Sequence, residues 1–198
     1  MGTKINNKNN YKFVVFDLDG CIMNDIQALL DSKFGGKQST IKNIFNESIF
    51  NFAKNIIRSE EFHRSLVDEN MLDKNVIKLM KFLQEHGSKL YVVTRNKGID
   101  EKWLSSLLKK YEINIEPENI YKVNGNKGNV IKSLKADLIV DDQSDIILDV
   151  KKAYTDNEHP QIIIVKRTYN NITSWLLRIV DQKVSVLKSE ELYKIYNN

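Results

Sequence analysis

The chain has 198 residues, 41% of them hydrophobic, with 30 Lys and Arg against 26 Asp and Glu, a formal charge of +4 and a pI near 8.9. That length suffices for one sizeable core with room for an inserted module, and no stretch approaches the about eighteen consecutive apolar residues of a membrane span, so no membrane partner is expected. The charges are dispersed along the chain, which favours encounter with an anionic substrate but does not by itself argue for nucleic acid.

Cys21 is the single cysteine, which excludes an internal disulfide and a cysteine-based zinc cage and fits a reducing, cytoplasmic setting. Residues 1–11 read as an unstructured lead-in. Their "MGTKINNKNN" is polar, has no apolar signal-peptide core and places Asn6 where a myristoylation signal needs Ser or Thr.

The next run, "KFVVF", predicts a buried strand, and it stops on Asp17 and Asp19 with Gly20 behind them. Residues 25–74 then read as an α-helical insertion. At its centre Ile41, Ile44, Phe45, Ile49, Phe52, Ala53, Ile56 and Ile57 recur at helical spacing, with "DIQALLDSKFGG" before them and "SEEFHRSLVDENML" after.

Past this point helices and strands alternate. "KNVIKLMKFLQEHG" predicts a helix with Val76, Ile77, Leu79, Met80 and Leu83 on one face and Gly87 at its C-terminal cap, and "KLYVVT" a strand. "DEKWLSSLLKKY" predicts a helix with Trp103 in the core, "NIYKV" a short strand, "KGNVIKSLK" a helix, "DLIV" a strand, "DIILDVKKAY" a helix and "QIIIVK" a strand. The tail reads as a helix over "NITSWLLRIV", an edge strand at "KVSVL" and a short polar terminus. His63, His86 and His159 have no ligand-like partner at i+3 or i+4 and read as structural or exposed.

Four runs are nearly continuous apolar β-formers, the pattern of strands buried on both faces of a parallel sheet. The expected fold is therefore α/β, a Rossmann-like doubly wound parallel sheet. Its core comprises residues 12–24 and 75–198, and a small helical cap occupies 25–74.

In such a sheet the crevice lies beyond the carboxyl ends of the strands. Asp17 and Asp19 end the first strand, Thr94, Arg95 and Asn96 the second, and Asp141 and Asp142 the "DLIV" strand, while Lys127 opens a helix between the last two. Carboxylates gathered this way repel and raise one another's pKa unless a cation sits among them. An all-oxygen set without His or Cys suits Mg²⁺ better than zinc. A hydroxyl at Thr94 and an ammonium at Lys127 would face an anion, which makes a phosphoryl group the fitting substrate.

Each feature alone has a plainer reading. A DxDG after a strand is often only a turn; Asp141 and Asp142 alone fit a helix N-cap pair; Lys127 alone fits a surface charge. Arg95 reads either as a substrate contact or as a surface ion-pair partner. Asp145 reads as the cap of the helix that follows it, in preference to a support for the metal. Their joint occurrence is what points to a site.

The stretch "VVFDLDGCI" resembles the first motif of the haloacid dehalogenase (HAD) superfamily of phosphotransferases, "VVTRN" the second, Lys127 in "GNKGNVIK" the third and "LIVDDQSD" the fourth. Together they organise residues 12 to 165. The resemblance implies that Asp17 is a nucleophile forming an aspartyl-phosphate and that Asp19 is the acid and base of the two half-reactions. It further implies that Asp142, Asp17 and the main-chain carbonyl of Asp19 hold Mg²⁺, with Asp141 supporting or sharing the metal. Thr94 and Lys127 would bind the phosphate oxygens, Leu18 and Gly20 would offer backbone N–H groups, and Arg95 and Asn96 would contact substrate.

Cys21 departs from the Thr or Val usual at its position, and a thiol beside the site is a candidate for oxidation. Asp19 points to phosphate-ester chemistry rather than dehalogenation, and a cap would shield the site from water. The implied function is a Mg²⁺-dependent phosphatase for a small phosphate monoester. "IVDDQSDI" and the short cap resemble the 5'-nucleotidases more than the sugar-phosphate phosphatases. The alternatives are a polynucleotide 3'-phosphatase, to which the basic balance and "KRTYNN" (166–171) lend slight support, and a non-catalytic phosphate- or partner-binding module. Nucleic acid is not the favoured partner, and the sequence leaves the oligomeric state open.

Overall fold

The structure, a computed structural model, describes residues 11–24, 72–154, 158–167 and 183–195. The expected helical cap lies outside the described residues up to residue 71, as do the tail helix "NITSWLLRIV" and residues 168–171 of the "KRTYNN" loop.

The strands are β1 (Phe13–Phe16), β2 (Lys89–Thr94), β3 (Ile120–Lys122), β4 (Leu138–Asp141), β5 (Gln161–Lys166) and β6 (Val184–Lys188). They form one six-stranded sheet in the order β3-β2-β1-β4-β5-β6, and every neighbouring pair is parallel. The helices are α1 (Lys74–Glu85), α2 (Glu101–Lys109), α3 (Gly128–Ser133) and α4 (Asp145–Ala153), with 3-10 turns at Pro117–Asn119 and Ser189–Ile195.

The continuous apolar runs are explained by the two cores. Val14, Phe16, Val92, Val140 and Ile163 pack on one face of the sheet with Val76, Leu79 and Met80 of α1 and Leu104 and Leu108 of α2. Val15, Val93, Ile139, Ile162 and Ile164 point to the other face, against Ile131 of α3 and Ile146, Ile147 and Val150 of α4. Side chains alternate between faces with period two, so a strand covered on both sides needs an apolar residue at every position. The fold is thus the doubly wound α/β architecture that the sequence predicts.

Helix α1 shows how local signals and packing cooperate. Its N-cap Asp73 accepts from the backbone N–H groups of Asn75 and Val76. It ends at His86, and Gly87 takes φ +85, so that the N–H of Ser88 reaches back to the carbonyl of Leu83 at 2.9 Å. That closure favours glycine, which bears positive φ without a Cβ penalty. Each large buried aliphatic contributes roughly 1.5–3 kcal/mol, more than the about 1 kcal/mol of a cap, so the buried face of α1 outweighs its cap.

Two expectations need correcting at the edges. Tyr11, assigned to the lead-in, is buried; its hydroxyl donates to Gln161 at 2.6 Å and its carbonyl accepts from the hydroxyl of Ser88. Trp103 packs against the core but is only partly buried, leaving Leu104 and Leu108 as the buried residues of α2.

Register brings the motif ends together. Phe16 pairs with Val92 on one side and Val140 on the other, and the N–H of Asp17 donates to the carbonyl of Val140 at 2.9 Å. The segments before and after residues 25–71 also meet. Met23 forms an antiparallel bridge with Leu72, and the N–H of Asp73 donates to the carbonyl of Ile22. No helix among the described residues is long and apolar enough to cross a membrane.

Candidate active site

At the carboxyl edge of the sheet β1, β2 and β4 end side by side, and the chain beyond them must turn. After β1 it does so through Gly20, at φ +77, with the N–H groups of Cys21 and Met23 returning to the carbonyl of Leu18. Leu18 and Cys21 are buried beneath the turn. The two carboxylates on either side of Leu18 therefore lie on a fixed loop.

The structure gathers Asp17, Asp141 and Asp142. One carboxylate oxygen of each lies within 4.8 Å of the others, and all three residues are buried. Lys127, the N-terminal flank of α3, places Nζ 2.8 Å from Asp17 Oδ1 and 2.9 Å from Asp141 Oδ2. Counted over these four described residues, three carboxylates against one ammonium leave two negative charges in excess. Burial makes that excess costly unless a cation neutralises it. The donor set is oxygen only, which fits a hard divalent cation, and Asp142 Oδ1 is a buried oxygen onto which no donor hydrogen-bonds among the described residues.

The electrostatics follow from this packing. Burial pushes the Asp141 carboxyl up to about 6, with the charge of Asp17 adding to the rise and Lys127 opposing it. Burial alone would lower Lys127, but the carboxylates of Asp141 and Asp17 more than reverse this and hold its ammonium firmly protonated. The Cys21 thiol is raised by burial and then by Asp17 and Asp141, and its Sγ lies 3.5 Å from the carbonyl of Val140. A neutral buried thiol is a poor target for oxidation, which corrects the expectation placed on it.

Asp19 stands apart from the three-carboxylate group. Its Oδ1 accepts from Asn96 Nδ2 at 2.9 Å. Asn96 is in turn fixed by its own N–H donating to Thr94 Oγ1 at 2.9 Å and by Gly98 N–H donating to its Oδ1 at 3.0 Å. Thr94 and Asn96 are both fully buried. This places Asn96, expected at the substrate, against Asp19.

Arg95 leaves the end of β2 in another direction. Its Nε donates to the carbonyl of Gly125 at 2.8 Å, NH1 meets Asp145 Oδ2 at 2.6 Å and NH2 meets Asp149 Oδ2 at 2.5 Å. Asp145 was expected to cap α4. Instead it is the first residue of that helix, Ser144 holds the cap position with no side-chain cap bond, and the Asp145 carboxylate is held by Arg95.

Two further charged groups, Asp149 and Arg167, are tied to the site segments. Asp149 lies on α4 among Ile146, Ile147 and Val150, and a charged residue on an apolar helix stripe was the signal available. Arg167, just past β5, donates to the carbonyls of Gly20 (2.7 Å) and Cys21 (3.1 Å) and to Asp73 Oδ2 (2.6 Å). It thereby ties the loop of Asp17 and Asp19 to the start of α1, and no local pattern announces this.

Compared with known proteins, the chain matches no family model and no curated protein. Among solved structures it is similar to a putative phosphoglycolate phosphatase from Lactobacillus delbrueckii subsp. bulgaricus, at 14% identity and a TM-score of 0.49, over 95% of this chain and 99% of that one.

Proposed function

We propose that the chain is a Mg²⁺-dependent phosphatase that hydrolyses a small phosphate monoester through an aspartyl-phosphate on Asp17. The observation that carries this reading is the convergence of Asp17, Asp141 and Asp142 within 4.8 Å, with Lys127 on two of them. It is supported by the resemblance of the segments that deliver those residues to the four HAD motifs.

Asp17 and Asp142, with Asp141 beside them, would hold the Mg²⁺, which supplies charge neutralisation to the phosphoryl oxygens when bound. An Asp17 carboxylate oxygen attacks phosphorus as the bond to the leaving oxygen breaks, and Asp19 gives that oxygen its proton. Asp19 then takes a proton from water. The water oxygen attacks phosphorus, the bond to Asp17 breaks, and inorganic phosphate leaves with Asp17 restored. Asn96 holds Asp19 in place for both transfers. Lys127, kept protonated by its two carboxylates, offsets charge on the nucleophile and on the transferring group. The Thr94 hydroxyl and the backbone N–H groups of Leu18 and Gly20 complete the anion site, and a nucleoside monophosphate is the substrate the motif resemblance favours.

The test is phosphate release with and without Mg²⁺ across nucleoside monophosphates, sugar phosphates and a 3'-phosphorylated oligonucleotide. Asp17→Asn should lose activity at least about a thousandfold, as removal of a covalent nucleophile does, while still melting in one cooperative transition. Substantial Mg²⁺-dependent turnover by that variant would remove Asp17 as the nucleophile.

A further inference from the structure

The geometry points to Asp149 as a positioning residue for Lys127, and to Arg95 as its tie to the end of β2, an assignment that rests on the phosphatase reading above only for its kinetic consequences. A single oxygen, Asp149 Oδ2, accepts both the backbone N–H of Lys127 at 2.9 Å and the NH2 of Arg95 at 2.5 Å. Arg95 is covalently next to Thr94, and its Nε holds the carbonyl of Gly125, two residues before Lys127. Asp149 thus joins the segment carrying Thr94 to the one carrying Lys127.

The contact between α3 and α4 has no slack. A Cβ on Gly128 would sit 2.1 Å from the carbonyl oxygen of Asp149 and 2.9 Å from the Cβ of Ala153. The backbone of residue 128 is therefore pressed onto α4 where Asp149 takes the N–H of residue 127. Lys127 itself is 4% exposed, and its Nζ must span from this anchor to both Asp17 and Asp141. A displacement of the anchor moves the ammonium off one or both carboxylates. Asp149 touches neither Asp17 nor Asp141 in any described contact, so it acts through Lys127.

The experiment compares wild type, Asp149→Ala and Asp149→Asn by amine acetylation read lysine by lysine with mass spectrometry, together with melting curves and steady-state kinetics. Asn keeps an oxygen able to accept from Lys127 but drops the charge facing Arg95. Acetylation of Lys127 should rise at least several-fold in Asp149→Ala and by less in Asp149→Asn, while lysines far from α4 keep their wild-type rates. On the phosphatase reading kcat falls roughly 10–100-fold in Asp149→Ala, the range for loss of a group that orients a site residue, with KM changing far less. In a Lys127→Ala background the same substitution should cost about threefold or less, because the two residues act as one unit.

A folded Asp149→Ala protein whose Lys127 is acetylated at the wild-type rate overturns the assignment, whatever its activity. If that variant does not fold, a wild-type labelling rate at Lys127 in a folded Asp149→Leu protein, which keeps the side-chain shape but has no acceptor, does the same. Absence of turnover in the wild type would overturn the phosphatase reading alone, since the labelling decides the position of Lys127 without it.

Discussion

Asp17 and Asp19 are separated by one residue but are set in different environments, and on the proposed mechanism that difference separates their roles. Asp17 is buried against Lys127 and the other two acidic residues, whereas Asp19 faces the amide of Asn96. On the proposed mechanism the acid of both half-reactions has to exchange protons with leaving group and water, which suits Asp19, a carboxylate that is not one of the clustered three. Asp19→Asn should therefore form the aspartyl-phosphate with an activated substrate and break it down slowly. The intermediate would be seen as a phosphate adduct in acid-quenched intact-protein mass spectra, and breakdown at the wild-type rate would dismiss Asp19 as the base. The convergence of Asp17, Asp141, Asp142 and Lys127 was legible because each ends or follows an apolar strand or opens a helix. The contacts of Asn96, Arg95 and Asp149 were not, because their partners lie 77, 50 to 54 and 22 residues away in sequence.

At the scale of an element, α1 starts on a buried ion pair. Asp73 serves as N-cap while its carboxylate also takes the hydroxyl of Ser189 and NH1 of Arg167. Burial works to raise its pKa, but the Ser189 hydrogen bond and the Arg167 charge outweigh this and lower it from the usual carboxylate value. A carboxylate lowered on folding stabilises the native state above its unfolded pKa, and that stability is lost as pH falls through the folded value. Asp73→Asn keeps a good capping side chain but removes the charge, so it should cost about 2 kcal/mol near neutral pH, the scale of a hydrogen bond to a charged group. The cost should shrink below about pH 4, where the unfolded carboxyl protonates. Denaturant unfolding across pH measures this, and a cost that stays constant into acid would count against the pair. The helix itself was readable from its apolar stripe and Gly87. Its anchor on Arg167, 94 residues away, was not.

For the molecule as a whole, the sheet was the most legible part. Runs such as "KFVVF" and "QIIIV" leave no polar face, so only strands covered on both sides accommodate them, and the two cores do cover them. β6 was predicted from the short alternating stretch "KVSVL" and lies at the sheet edge, parallel to β5. What periodicity cannot give is the joining of distant loops. The network through Arg95, Asp149 and Lys127 and the clasp of Arg167 on Gly20 and Cys21 both arise only when α4 and β5 arrive beside segments written much earlier in the chain.

The bridge between Met23 and Leu72 has a consequence for how this chain can change. Paired antiparallel residues stand about 4.5–5.5 Å apart between Cα atoms, so the chain on either side of residues 25–71 forms a ready-made junction in the core. Segments whose ends lie this close can be exchanged for others of different length at small entropic cost. Replacing residues 25–71 with a short Gly/Ser linker should therefore leave a core that melts in one cooperative transition by circular dichroism, whereas loss of that transition would show the insertion to be integral. On that footing, the stretch between Met23 and Leu72 could vary in length from one lineage to another while the loop of Asp17 and Asp19 stays as it is.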